Sequence, residues 1–327
     1  MAEEKQHSSC GSTFKTMIGG QALIEGIMMM GPEKKAVVVR KPDGTLEEQV
    51  NDRVLIKDKY PILGLPLLRG VFNFGSSMAN GVKALMFSAE FYGDEEEEEE
   101  PSKFEQWLER RLGSEAMYSM IVTLAVILGM AFSVGLFILL PTAVVGGVGL
   151  LVQDMPMWVR NVLEGVVRVI IFVGYLVLCS KTKDIHRVFQ YHGAEHKTIF
   201  CYEAGLPLTV ENVRKQPRHH PRCGTSFLFV VIVVAILLSS FVFSFVEVTN
   251  VFARMGIHLL LLPVVVSLTY EINRLVGRYD NALTRVMTAP GLWLQNYTTF
   301  EPDDSMIEVG IRSLELVLPS EKGKDAW

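Results

Sequence analysis

From Ala116 to Gln153 no side chain carries a charge. A membrane span needs about 20 consecutive apolar residues, and Tyr118 to Leu140 supplies them. Pro141 is expected to break that helix, because proline lacks a backbone N–H and clashes with the preceding turn. The remainder, Ala143 to Val152, holds Gly146, Gly147 and Gly149 and is too short to cross. It extends the helix, dips back into the bilayer, or packs on it.

Three more segments are long and apolar enough to span. The second runs over about 162–180 and carries Glu164 and Arg168, four apart and so able to pair on one helix face. The third, 226–246, is uncharged. The fourth, 251–270, contains His258 and Pro263, and proline is tolerated inside membrane helices. His258 is a functional suspect because ionisable groups are costly in lipid. Glu271 and Arg274, just beyond, could form a same-face pair, with local hydrogen bonding the plainer reading. Composition agrees: 49% of residues are hydrophobic and 20% charged, against about 25% charged in soluble domains.

The net charge of −5 describes one segment. Asp94 to Glu100 is an unbroken acidic run, expected as a solvated linker over 94–103. With its seven acids set aside, 29 acidic residues face 31 basic ones. That excess fixes orientation, since Lys and Arg gather in cytoplasmic loops. Between spans two and three lie Lys181, Lys183, Arg187, Lys197, Arg214, Lys215, Arg218 and Arg222. The neighbouring loops offer only Arg160 and Arg254. The loop 181–225 and both termini are therefore expected in the cytoplasm, in a multi-pass cell-membrane protein. The first 15 residues are polar, read as a tail, and lack the apolar core of a signal peptide. The cysteines are expected as thiols or metal ligands rather than disulfides.

The remaining parts are expected to form small cytoplasmic regions, 16–93 before the membrane region of 104–278 and 279–327 after it. Ala36 to Arg40 and Leu46 to Val50 flank Pro42-Asp43-Gly44, which reads as a β-hairpin. Gln21 and Glu25 share a face if their segment is helical. Leu67 to Glu90 reads as a helix, packed on the small domain or lying on the membrane. Phe104 to Leu112 and Ser305 to Leu318 read as amphipathic helices. The fold class expected is mainly α, a helical membrane bundle with a small cytoplasmic α+β part.

Five of the seven histidines fall between 186 and 220. His192-Gly193-Ala194-Glu195-His196 places two imidazoles one helical turn apart, able to grip one metal. Glu195 beside them could act as general base on a metal-bound water. This H-x-x-E-H order is the inverted zincin signature. Gly193 weakens the helix slightly. Further on, His220 and Cys223 have the short spacing of a paired ligand set, with Cys201 and Glu203 between the two pieces. Four ligands would fill a structural zinc site, whereas three would leave a position for water. The plainer reading is a polar, lipid-facing loop.

Four stretches together resemble the YqhQ-like bacterial membrane proteins. They are Gly19 to Pro32 (GGQALIEGIMMMGP), Tyr191 to Glu203 (YHGAEHKTIFCYE), His220 to Phe227 (HPRCGTSF), and Pro290 to Leu294 with Thr298 to Asp304. The resemblance keeps one order from about residue 17 to 318. Phe300 and Met30 depart from the charged and basic residues expected there. The family is one of unknown function, often described as predicted metal-dependent enzymes. The resemblance implies that His192, Glu195, His196, His220 and Cys223 are signature positions, and it supplies no substrate.

The expected function is a metal-dependent hydrolase at the cytoplasmic membrane face. His192 and His196, with His220 or Cys223, would hold a divalent metal, zinc first, and Glu195 would be the base. A lipid-like molecule or membrane peptide is the expected substrate, the bilayer is the partner, and no nucleic acid is expected. The competing expectation is a non-catalytic assembly or transport factor with a structural His/Cys cluster.

Overall fold

Glycine punctuates the segment from Gly19 to Gly31 into two five-residue apolar runs, and these fold as strands rather than helix. The computed structural model describes residues 14–53, 60–92, 113–152, 155–246, 248, 250–279, 281–321 and 323–326. The acidic run, the helix expected at 104–112 and most of the expected tail lie outside them. Strands β1 (Gly19–Leu23), β2 (Gly26–Met30), β3 (Lys34–Arg40) and β4 (Leu46–Asp52) form one antiparallel sheet in sequence order. The expected hairpin is β3–β4, with Val38 opposite Glu48. The helices follow as α1 (Leu68–Ala89), α2 (Ser114–Val134), α3 (Leu140–Leu151), α4 (Met157–Cys179), α5 (Lys183–Glu203), α6 (Val210–Arg214), α7 (Gly224–Phe245), α8 (Val251–Arg278), α9 (Ala282–Thr298) and α10 (Asp304–Glu315).

Gln21 and Glu25 do not share a helical face, because their segment is not helical. Gln21 lies in β1, paired with Met28. Glu25 lies in the tight turn before β2, at φ +48°. A non-glycine residue is strained there, and two contacts hold it. Arg187 forks onto its carboxylate, and the Tyr191 hydroxyl donates to it at 3.0 Å.

Strands β2 and β3 are buried on both faces, which suits their Ile, Met and Val side chains. On one face Ile27, Met29, Ala36 and Val38 pack against Tyr191, Ala194 and Ile199 of α5 and Met306, Val309 and Leu314 of α10. On the other, Leu23, Met28, Val37 and Val39 meet Ala84 of α1 and Phe87. The sheet is therefore a layer between helices. The side chain of Gln21 crowds against Gly81, and Gly70 lies against the Ser267 backbone, so α1 bridges sheet and α8.

Four segments are long and apolar enough to cross a membrane: Ser119–Gly149, Met157–Cys179, Leu228–Phe245 and Val251–Arg278. Leu124, Ile127, Leu128 and Phe132 of α2 are all exposed. A contiguous apolar exterior of this kind suits lipid and not water. Pro141 does not break the first span. A π-helical turn, Gly135–Leu139, joins α2 to α3 and places Pro141 in the first turn of α3, where a missing N–H is tolerated. The carbonyl four residues before Pro141 is that of Phe137. Arg168 Nε donates to it at 3.0 Å.

Two same-helix pairings that the spacing allows are replaced. Glu164 pairs with Arg254 and His258 of α8 rather than with Arg168. Glu271 pairs with Arg69 of α1 rather than with Arg274. In both cases the nearest partner comes from another helix, although Arg160 of α4 also lies 3.8 Å from Glu164.

Candidate metal centre

The H-x-x-E-H segment lies in the second half of α5, whose first turn follows Thr182 and carries Asp184 at the positive helix end. His192 and His196 fall one turn apart, with ring centroids 4.4 Å from one another. Gly193 between them has a packing reason. A Cβ there would lie 2.0 Å from the Phe300 carbonyl oxygen, and Phe300 N donates to Phe189 O at 2.9 Å. The chain after α9 runs directly against this face of α5.

That close approach fixes the imidazoles. His192 Nδ1 lies 2.7 Å from Thr298 O, and His196 Nδ1 lies 2.6 Å from Arg218 O. A carbonyl can only accept, so each Nδ1 donates and each neutral ring keeps its lone pair on Nε2. Metal-binding histidines are oriented in this way, with the outer N–H given to a carbonyl or carboxylate.

Cys223 arrives from the other side as the residue capping α7, its Sγ accepting from Thr225 N at 3.4 Å. Its position rests on Gln295 of α9, a fully buried side chain that clamps the backbone at His220. Gln295 Oε1 accepts from His220 N at 2.7 Å, and Nε2 donates to His220 O at 2.8 Å. His192 Nε2 thus lies 3.1 Å from Cys223 Sγ. Donor atoms of His192, His196 and Cys223 all fall within 4.8 Å of one another.

His220 is not brought into that group. Its ring turns toward Glu203 and Arg222, with Nε2 3.8 Å from Glu203 Oε2 and Nδ1 3.3 Å from Arg222 N. Arg222 also pairs with Glu203, whose Oε1 accepts from Thr16 N at 2.8 Å. His220 thus belongs to a buried support at the edge of the centre. Burial, only partly opposed by Glu203, lowers it to about 4, so it is neutral at pH 7. Glu195 reaches the other way: its Oε1 accepts from Gly20 N of β1 at 2.9 Å.

The electrostatics pair a Cys223 thiolate with a charged His192 ring. Burial opposes the thiolate of Cys223, but the two imidazoles outweigh it and hold the thiol well below its ordinary range. Burial likewise opposes charge on His192, and the adjacent thiolate overrides it, raising the ring to about 9. Burial raises the Glu195 carboxyl, and the imidazoles counter it in part. Two buried polar atoms here have no hydrogen-bond partner among the described residues, His196 Nε2 and Glu195 Oε2. A divalent cation among the donors would engage the orphaned nitrogen and the thiolate together. Two imidazoles and one thiolate are a donor set suited to zinc.

The sequence pattern alone does not reveal Gln295, the carbonyls of Thr298 and Arg218, or Gly20. Three of these act through backbone atoms, which leave no mark in residue type. Gln295, between Pro290 and Thr298 in a helix of mostly apolar and small residues, is the one visible signal.

The chain matches, over residues 65–320, the family described as "Protein of unknown function (DUF1385)". It is similar to "Uncharacterized protein YqhQ" of Bacillus subtilis (strain 168), 36% identical over 312 residues that cover 92% of each chain. No solved structure matches it. All the donor residues of the centre lie within the matched range.

Proposed function

We propose that this chain, which belongs to the DUF1385 family of YqhQ-like proteins, is a membrane-embedded, zinc-dependent hydrolase working at the cytoplasmic membrane face. One observation carries the reading: three donors lie within 4.8 Å of one another, and the neighbouring residue Glu195 keeps a buried oxygen with no hydrogen-bond partner among the described residues. Three protein ligands and an open position are the pattern of catalytic zinc, while structural zinc has four. His192, His196 and Cys223 would hold the ion. When bound, zinc supplies Lewis acidity and a water made acidic enough to ionise near neutral pH.

The chain's own residues do the rest. Gly20 N fixes one oxygen of Glu195, which leaves Oε2 to take a proton from water and pass it to a leaving group. Burial raises Glu195 toward the range a base needs. Cys223 caps the first turn of α7, so the centre stands where that span begins. This location favours a lipid-like molecule or a membrane peptide as substrate. The cluster of basic residues over 181–225 supports a cytoplasmic placement.

A second reading rests on the burial of the same donors, His196 and Cys223 above all. If a fourth protein ligand closes the centre, it is structural, as in a membrane assembly or transport factor. Two measurements separate the readings. Elemental analysis of the purified full chain should give about one zinc per chain, lost in His196→Ala and Cys223→Ala. Negligible metal in all three proteins overturns both readings. The cobalt-substituted protein should then change its visible spectrum on adding azide. An unchanged spectrum identifies a closed centre and removes the hydrolase.

A further inference from the structure

A second polar cluster lies among the helices themselves. Asn161, Glu164 and Arg168 recur on one face of α4 at helical spacing. Ser239 comes from α7, and Arg254 and His258 stand one turn apart on α8. All six are buried: Arg254 fully, the others 3–7% exposed. Charged side chains are costly at this depth and mark functional sites by default.

Charge does not balance here. Among the described residues of the cluster Glu164 is the one carboxylate, and it is fully engaged. Its Oε1 accepts from Arg254 Nε at 2.7 Å and lies 3.8 Å from Arg160 Nε, while its Oε2 lies 3.2 Å from His258 Nε2. Arg254 also donates to Asn161 Oδ1, and its guanidinium lies 3.9 Å over the Phe243 ring. Arg168 has the Phe137 carbonyl and no carboxylate. Three guanidinium groups thus face one carboxylate, an excess of two positive charges. Arg160 Nε is itself buried without a hydrogen-bond partner.

Beside this excess lies a small cavity of about 10 Å³, room for one water-sized species and partly open to the surroundings. Asn161, Glu164, Arg168, Ser239, Ser240 and His258 line it. Asn161 has its carbonyl turned to Arg254, so its NH₂ group remains to donate. The Arg168 Nη groups and the Ser240 hydroxyl are further donors on the wall.

We propose that this cavity binds one small halide ion, chloride, with Arg168 as its principal partner. The anion offsets the charge that Glu164 leaves uncompensated. A guanidinium N–H serves such an ion through a charge-assisted hydrogen bond, and the cavity is too small for a phosphate. A lipid headgroup is the wrong source. Arg168 lies eleven residues from each end of α4, about 16 Å along the axis from either terminus, well below the headgroups.

The test is calorimetric titration of the full-length protein, purified in a gluconate buffer, with sodium chloride and, as a size control, with sodium phosphate. Saturable binding of chloride alone by the wild type is expected. Arg168→Gln should weaken it roughly tenfold or more, the worth of a charge-assisted hydrogen bond, and Arg168→Lys should keep part of it. No saturable chloride binding by the wild type, or equal binding of phosphate, overturns the proposal. So does unchanged binding by folded Arg168→Gln. If that variant fails to fold, Ser240→Val, which fills the cavity wall without touching charge, must show the same weakening.

Discussion

The two polar centres of this molecule are opposites in charge and in construction. At the start of α7, the imidazoles of His192 and His196 and the Cys223 thiol gather within 4.8 Å, donors that on our proposal hold a cation. Along the same helix, 16 residues on and roughly 24 Å away by helical rise, Ser239 enters a cluster with more guanidinium groups than carboxylates, and that arrangement calls for an anion. The first is built from a local motif plus one residue brought in by a loop. The second is built from single residues on three helices. The difference teaches that buried polar groups are read by what they lack: an unfilled lone pair in one region, an uncompensated positive charge in the other.

That difference can be broken by mutation, and the largest effect is expected in the membrane cluster. Glu164→Leu leaves Arg254 buried and unpaired, which should cost about 3–5 kcal/mol. The double variant Glu164→Leu with Arg254→Leu should recover most of it, because the pair is then replaced by packing. Thermal unfolding in detergent measures both, and equal losses in single and double variants would show that the ion pair is not the source. At the other centre, chelation should destabilise the wild type by about 2.7 kcal/mol if the metal stood at a hundredfold its dissociation constant. The same chelator should leave His196→Ala unmoved. Additivity of the chelator effect with Glu164→Leu would establish that the two centres are energetically separate.

A smaller effect sharpens the geometry of the first centre. Gly193→Ala forces a methyl group to within 2.0 Å of the Phe300 carbonyl, and overpacking of this kind costs about 1–3 kcal/mol. The shift should also weaken metal binding, which titration with a zinc indicator reports. A stable variant with unchanged zinc affinity would mean that the 298–302 segment does not hold His192. The smallest effect belongs to neither centre. Arg312 pairs with Glu48 on β4, both partly exposed, and Arg312→Ala should change stability by less than about 1 kcal/mol. That variant is the baseline for the others.

How much of each centre the sequence revealed follows from the same contrast. His192, Glu195, His196 and Cys223 stand in short motifs whose spacing carries their geometry. The spans were legible because apolar length is a one-dimensional property. The Glu164–Arg254 pair was not legible. Their separation of 90 residues carries no register, and the neighbouring Arg168 offered a plausible local partner. Pro141 misled for a related reason: proline forbids a hydrogen bond at one position, and a π-turn absorbs the loss. β1 and β2 were missed because five-residue apolar runs have no period long enough to tell strand from helix. Their bounding glycines, Gly19, Gly20, Gly26 and Gly31, were the signal.

Zinc-edge X-ray absorption on the purified full-length protein tests the central claim most directly. The account predicts one bound zinc with two nitrogen neighbours near 2.0–2.1 Å and one sulfur near 2.3 Å, the sulfur contribution vanishing in Cys223→Ser. Absence of zinc, or a zinc shell without sulfur in the wild type, would contradict it.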